Sequence, residues 1–245
     1  MRARKKSWTD KEIKHNEFII QEPENWHGKW SEYFNNNKPI NLEIGCGKGR
    51  FIAAAAQAFD ENFIGLERAP TVLAQAARLA RESSAEFVQP GEQTVEAFDK
   101  YANTGQHNLA YIISNVENLG NLFAPGEVAT LYINFCDPWP NKKKWQKRRL
   151  THARFLSLYQ TLGINTIMFK TDNRELFEFS IEQFSAQDWF IKNVSLDLRA
   201  MEQDPRFITE YEQKFAEVGP IFRLEAYARP HKRSCVKRTV ALDAT

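Results

Sequence analysis

Hydrophobic positions along the chain fall into two alternating patterns. Short, nearly continuous apolar runs occupy 40–44 ("INLEI"), 62–67 ("NFIGLE"), 108–114 ("NLAYIIS"), 130–135 ("TLYINF") and 164–170 ("INTIMFK"). Runs of this length, rich in β-branched and aromatic residues, predict buried strands. Between them lie segments with apolar residues three and four apart: 50–59 ("RFIAAAAQAF"), 71–83 ("TVLAQAARLARES"), 147–163 and 173–184 ("NRELFEFSIEQF"). That spacing predicts helices, in 147–163 through Leu150, Phe155, Leu158 and Leu162. Two later runs, 189–198 and 221–228, read as strands with room for a helix between them, while 84–107 shows no pattern that assigns an element. Strands alternating with helices predict an α/β fold with a doubly wound, mostly parallel sheet.

A chain of 245 residues with 42% apolar composition can bury the core of one large α/β domain. It contains no apolar run of about 18 residues, so a membrane span is not expected. The amino end is basic and lacks the apolar stretch of a secretory signal. Three cysteines without metal-ligand or CxxC spacing fit a reducing, cytoplasmic setting. Charge changes the picture more. Residues 1–14, 141–154 and 229–238 hold 18 of the 33 Lys and Arg but 2 of the 31 Asp and Glu, a net of +16 against −14 for the rest. Such segregation points to a polyanion, best a nucleic acid, on an otherwise acidic body. The expected organisation is a basic arm at 1–20, a catalytic domain at 21–228 and a basic tail at 229–245.

Candidate chemistry sits at the carboxyl ends of the strands, where open parallel sheets bind ligands. In "EIGCGKG" (43–49), Gly45 and Gly47 allow close approach of backbone to a ligand ahead of a helix N-terminus. The dinucleotide fingerprint is broken at Arg50, which disfavours a nicotinamide. Glu67 ends the second strand, the place from which an acid receives ribose hydroxyls. Asn115 follows the third strand, where it reads either as an adenine contact or as an ordinary turn residue. Asp137 follows the fourth, stiffened by Pro138 and Pro140 around Trp139 and succeeded by "NKKKWQKRR". An acid beside an aromatic ring suits a planar base, and the lysines and arginines suit its phosphates. Asp172 reads equally well as a site residue or a helix cap, and Thr209 and Glu212 by themselves as helix-start residues. The five histidines have no metal-binding spacing.

Taken together, "EIGCGKGRF", "FIGLE", "LYINFCDPWP", "KRRL", "FKTDNRELFEFS" and "TEYEQKF" resemble, in order, the bacterial tRNA (guanine-N7-)-methyltransferases. The resemblance implies a class I S-adenosylmethionine-dependent methyltransferase fold and methylation of N7 of a guanine in the tRNA variable loop. By position it implies cofactor contacts from Glu43, Gly45, Gly47, Glu67, Asn115 and Asp137, with Asp137 also catalytic. It assigns Asp172, Thr209, Glu210, Tyr211 and Glu212 to the substrate side. The chain departs from the family pattern at Cys136, where Pro or Ser is usual, and in "NKKKW", which is one residue longer than usual. The resemblance therefore leaves the role of the substrate-contacting lysine open between Lys142 and Asn141, which stands in its nominal place. Two rivals remain at this stage: a methyltransferase acting on an exocyclic amino group, and a silent tRNA-binding relative. Monomer and homodimer are both open.

Overall fold

The computed structural model describes residues 6–85, 108–200, 208–215 and 219–229. Most of the unassigned 84–107 segment and the basic tail from residue 230 onward lie outside the described residues. Among the described residues, seven strands form one sheet in the order β3-β2-β1-β4-β5-β7-β6. They are β1 (Ile40–Ile44), β2 (Asn62–Glu67), β3 (Leu109–Ile113), β4 (Val128–Asn134), β5 (Thr166–Thr171), β6 (Trp189–Ser195) and β7 (Phe222–Ala228). The first five run parallel; β7 is antiparallel to both β5 and β6. The helices longer than a single turn are α1 (Thr9–His15), α2 (Arg50–Ala58), α3 (Pro70–Ala85), α4 (Ala153–Thr161), α5 (Arg174–Ala186) and α6 (Glu210–Phe215).

β1 is buried at every position because helices cover both faces of the sheet, which is why it reads as an unbroken apolar run. The alternation of a pleated strand then divides the core in two. Leu42, Ile44, Ile64 and Ile133 pack with Trp30, Phe34, Phe169 and Phe177 on one side. Phe63, Leu109 and Tyr111 pack with Phe51, Ile52, Leu73 and Ala77 on the other. Residues 18–20, at the end of the expected basic arm, lie along the free edge of β3. Tyr111 N donates to Phe18 O at 2.7 Å and Ile20 N to Tyr111 O at 3.0 Å. Pairing of this kind covers a row of backbone groups that an edge strand would otherwise expose. Among the described residues no helix is long and apolar enough to cross a membrane.

One expected helix is shorter than its pattern. Periodicity predicts 147–163, but α4 begins at Ala153, after His152 adopts an extended conformation and its side chain accepts from Arg154 N at 3.2 Å. The preceding residues turn instead, because the Arg149 side chain is buried rather than carried on an outer helical face. Lys143–Gln146 forms a separate single turn.

Candidate active site

The strand order reverses between β1 and β4, and a cavity of about 850 Å³ opens at the carboxyl ends there. Gly45, Glu67, Asn115 and Asp137, each from the end of a different strand, line it together. The loop after β1 is tied to β2, with Gly45 N and Cys46 N both donating to Leu66 O at 2.7 and 3.2 Å. Its glycines serve two purposes. Gly45 and Gly47 have φ of +73° and +58°, and a Cβ on either would meet nothing within 4 Å. Gly49, at φ +76°, is closed in: a Cβ there would lie 2.6 Å from Tyr111 Oη and 2.8 Å from Ala76 Cβ. The first two leave space that a ligand can take, and the third lets α2 start against its neighbours. Glu67 is oriented by Ala69 N, which donates to its Oε1 at 2.9 Å. Asn115 Oδ1 accepts from Val116 N at 3.2 Å, so it both shapes its turn and faces the cavity.

The segment after β4 is more strained. Phe135 and Trp139 take φ of +50° and +43° without being glycine, each costing about 1–2 kcal/mol. Phe135 N is held by Lys170 O at 2.9 Å. Trp139 is held by Arg149, whose Nη2 donates to Trp139 O and whose Nε donates to Pro138 O, both at 2.7 Å. Asp137 itself is exposed, and it pairs with Arg68 Nη2 at 3.8 Å, also exposed, a pair that contributes little energy. Burial pushes the Cys136 thiol up to about 12, with the Asp137 charge adding to it, so Cys136 stays protonated and packs against the core.

Beyond β5, Asp172 Oδ2 accepts from Tyr211 Oη at 2.9 Å, and the Tyr211 ring lies 5.0 Å from that of Phe135. Burial and then the Asp172 carboxylate raise the Tyr211 pKa above its ordinary value. Thr209 and Glu212 form a reciprocal cap on α6: Thr209 N donates to Glu212 Oε2 at 2.8 Å and Glu212 N to Thr209 Oγ1 at 3.1 Å. Glu212 also pairs with the buried Lys170 Nζ at 3.0 Å, and its Oε1 has no partner among the described residues. Glu210 stands at the start of α6, with its side chain outside the described set. Asn141 accepts from Gln146 Nε2 and Lys142 is exposed; neither lines the cavity. The basic residues of this segment that do are Lys144, Lys147, Arg148 and Arg154. The sequence marked the run as basic but carried no sign of which of its members turn inward.

A sequence profile for a family described as "Putative methyltransferase" matches residues 37–223. The tRNA (guanine-N(7)-)-methyltransferase of Bacillus licheniformis is 41% identical over 231 residues, covering 92% of this chain and 98% of its own length. That of Oceanobacillus iheyensis is 38% identical over the same shares. The chain belongs to the tRNA (guanine-N(7)-)-methyltransferase family. Among solved structures, the 16S rRNA methyltransferase KamB superposes with a TM-score of 0.56 at 10% identity, covering 83% of this chain and 94% of that one. A variant of the 16S rRNA (adenine(1408)-N(1))-methyltransferase from Catenulisporales acidiphilia, solved with its cosubstrate SAM, gives 0.52 at 16% identity, covering 84% and 92%. These likenesses establish the class I methyltransferase fold.

For a tRNA (guanine-N(7)-)-methyltransferase the methyl donor is S-adenosylmethionine, and one buried group of this chain fits it well. Glu43 is 3% exposed; its Oε1 accepts from Asn134 Nδ2 at 2.8 Å, across the β1–β4 boundary. Its Oε2 finds no partner among the described residues. Burial raises the Glu43 pKa to about 7, against the opposing effects of the Asn134 hydrogen bond and the Lys170 charge. A buried carboxylate with a spare oxygen, two residues before the open glycine loop, suits a cofactor that brings positive charge.

Proposed function

We propose that this chain methylates N7 of a guanine in the variable loop of tRNA, using S-adenosylmethionine. The observation that carries the reading is the placement of Asp137. This exposed carboxylate shares one cavity with the open glycine loop and with Glu67, at the point where strand order reverses. In the proposed arrangement Gly45 and Gly47 let the backbone close on the cofactor, Glu67 takes the ribose hydroxyls and Asn115 meets the adenine edge. Glu43 balances the cofactor's positive charge from beneath. S-adenosylmethionine, when bound, supplies an electrophilic methyl group on a sulfonium.

Guanine N7 carries a free lone pair in the major groove, so no base has to remove a proton before it attacks. The protein's main work is alignment of two reactants, which is worth several orders of magnitude in rate. The methylated base is cationic, and on this reading Asp137 would stabilise that charge as it develops. Asp172, braced by Tyr211, and the capped Thr209–Glu212 segment, with Glu210, would form the wall on the other side of the base. Asn141 and Lys142 would meet the RNA backbone outside the cavity. The same reading places the enzyme in the cytoplasm with its substrate. It leaves a homodimer to be tested by sedimentation, the exposed Phe190, Val194 and Leu196 at the β6 edge being the apolar surface at issue.

The deciding experiment is methyl transfer from labelled S-adenosylmethionine to tRNA lacking 7-methylguanosine, with nucleoside analysis of the product. Label in 7-methylguanosine supports the reading. Label in an amino-methylated nucleoside moves the target atom, and no label with an intact, cofactor-binding protein removes the activity.

A further inference from the structure

Resting on the reading that this cavity methylates tRNA, the inference concerns Trp145, which the cavity itself does not explain. Its indole lies parallel to that of Trp139, with centroids 5.4 Å apart and 8° between planes. Arg148 Cζ is 4.8 Å from the Trp139 ring and 4.6 Å from the Trp145 ring, and Lys144 Nζ is 5.5 Å from Trp145. Trp139, Lys144 and Arg148 line the cavity, whereas Trp145 does not, so the pair extends from its wall to the outer surface. Both rings are half-buried. A structural tryptophan in this chain looks different: Trp30 is fully buried and its Nε1 donates to Leu122 O at 2.8 Å.

A closely stacked, half-open aromatic pair flanked by cations has the chemistry of a single-stranded nucleic-acid platform. Bases stack on the rings, and the cations meet the phosphates. Inserting a base between two rings needs about 7 Å between them, twice the stacking distance of aromatic planes, so the present pair is closed to insertion. A base would therefore have to stack on the outside of the pair. We propose that Trp145, backed by Trp139 and flanked by Arg148 and Lys144, is a stacking platform for a nucleobase adjacent to the methylated guanine in tRNA. Stacking tolerates any base, so the platform would hold the strand without reading its sequence, leaving selection of the target to the cavity.

The test uses the full-length protein with Trp145→Ala and Trp145→Phe, and measures tRNA affinity over a salt series, KM and kcat for tRNA, and cofactor affinity. Trp145→Ala is expected to weaken tRNA binding about 10-fold or more, as loss of a base stack does. The slope of log affinity against log salt should stay unchanged, because tryptophan releases no counterion. KM for tRNA should rise more than kcat falls, and Trp145→Phe should recover most of the loss. Tryptophan emission, quenched when tRNA is added to the wild type, should be quenched less in Trp145→Phe. Binding by Trp145→Ala within twofold of wild type overturns the platform. So does a loss that cofactor affinity shares and phenylalanine does not rescue, which marks a structural role. If the wild type forms 7-methylguanosine while these variants behave normally, the platform alone fails. A wild type that neither binds nor methylates tRNA overturns platform and function together.

Discussion

Arg149→Lys keeps the charge under the loop after β4 and removes the fork that grips it. The arginine side chain is 1% exposed and donates at 2.7 Å to Pro138 O, to Trp139 O and to Glu175 Oε1. Its guanidinium also lies 4.6 Å from the Phe179 ring. A lysine ammonium is a compact charge and can satisfy one of the two carbonyls. Losing one charge-assisted hydrogen bond to a part-buried carbonyl costs about 1.5 kcal/mol. The Glu175 partner is 52% exposed and rehydrates, so weakening that pair adds less than about 1 kcal/mol. The expected loss is therefore about 2 kcal/mol, a fall in Tm of about 4–8 °C for a chain of this size. Turnover should suffer too, because the clamp holds Trp139 at φ +43°, a conformation it would otherwise leave, and Asp137 is only two residues away. If most of that energy goes to reassembling the loop, kcat falls about 10- to 30-fold. Cofactor affinity should change little, since the glycine loop and Glu67 hang from β1 and β2. Thermal unfolding, cofactor titration and methyl transfer on one preparation decide it. A lowered Tm with unchanged kcat would show that Arg149 stabilises the fold without positioning Asp137.

Asp137→Asn preserves shape and removes charge; kcat should fall about 10²- to 10³-fold while cofactor binding stays within a few-fold, and unchanged turnover would remove the carboxylate from the mechanism. Glu43 is protonated more readily in the folded state, with a pKa of about 7 against an ordinary 4.5. Its contribution to stability is therefore fully present below pH 4.5 and lost as pH rises through about 7. Glu43→Gln should stabilise the cofactor-free protein at pH 8 by about 2–3 kcal/mol relative to pH 5 in urea unfolding, and an equal effect at both pH values would contradict the assignment. Cofactor affinity of the wild type should rise with pH through the same window, as the carboxylate becomes available to a cationic ligand. Gly49→Ala forces a Cβ against Tyr111 and Ala76 at positive φ and should prevent stable folding, whereas Gly47→Ala meets open space and should cost about 1 kcal/mol of stability while weakening cofactor binding more strongly. Equal Tm values for the two variants would refute the distinction.

The strands, and the meeting of the glycine loop, Glu67 and Asp137 at one end of the sheet, were legible because they obey local rules. Apolar runs of five or six residues become doubly covered strands, and a glycine loop or acid at a carboxyl end becomes cavity lining. The Thr-x-x-Glu spacing of 209–212 was legible as a helix start, and the structure contains that cap. What the spacing could not show is that Glu212 also pairs with Lys170, a contact 42 residues away in sequence. The basic run was legible only as charge. The single turn at Lys143–Gln146 brings Lys144, Lys147 and Arg148 to the cavity and leaves Lys142 outside it, while Arg149 is buried against the carbonyls of residues 138 and 139. Nothing in "KRR" separates the second arginine from its neighbours, because its role depends on carbonyls of residues 138 and 139. The spare oxygen of Glu43 was hidden for the same reason, since only the pairing of β1 with β4 brings Asn134 to one of its two oxygens.

On the proposed reading, the reversal of strand order gives the two halves of the site to different elements. The ends of β1, β2 and β3 carry the residues that would hold the cofactor, while the ends of β4 and β5 and the start of α6 carry those that would meet the base. The loop carrying Asp137 belongs to the second half but opens into the cavity of the first. It is anchored from behind by Lys170 O through Phe135 N, from beneath by Arg149, and at its side by the Tyr211 ring against Phe135. A reaction that requires alignment and no proton shuttle depends on how firmly those halves are held relative to each other. Substitutions at Glu43 or Gly47 should therefore change cofactor binding while leaving the affinity for tRNA intact. Substitutions at Arg149 should do the reverse of what a simple stability defect does, lowering turnover at saturating concentrations of both substrates, because the misplaced element is the one that joins them.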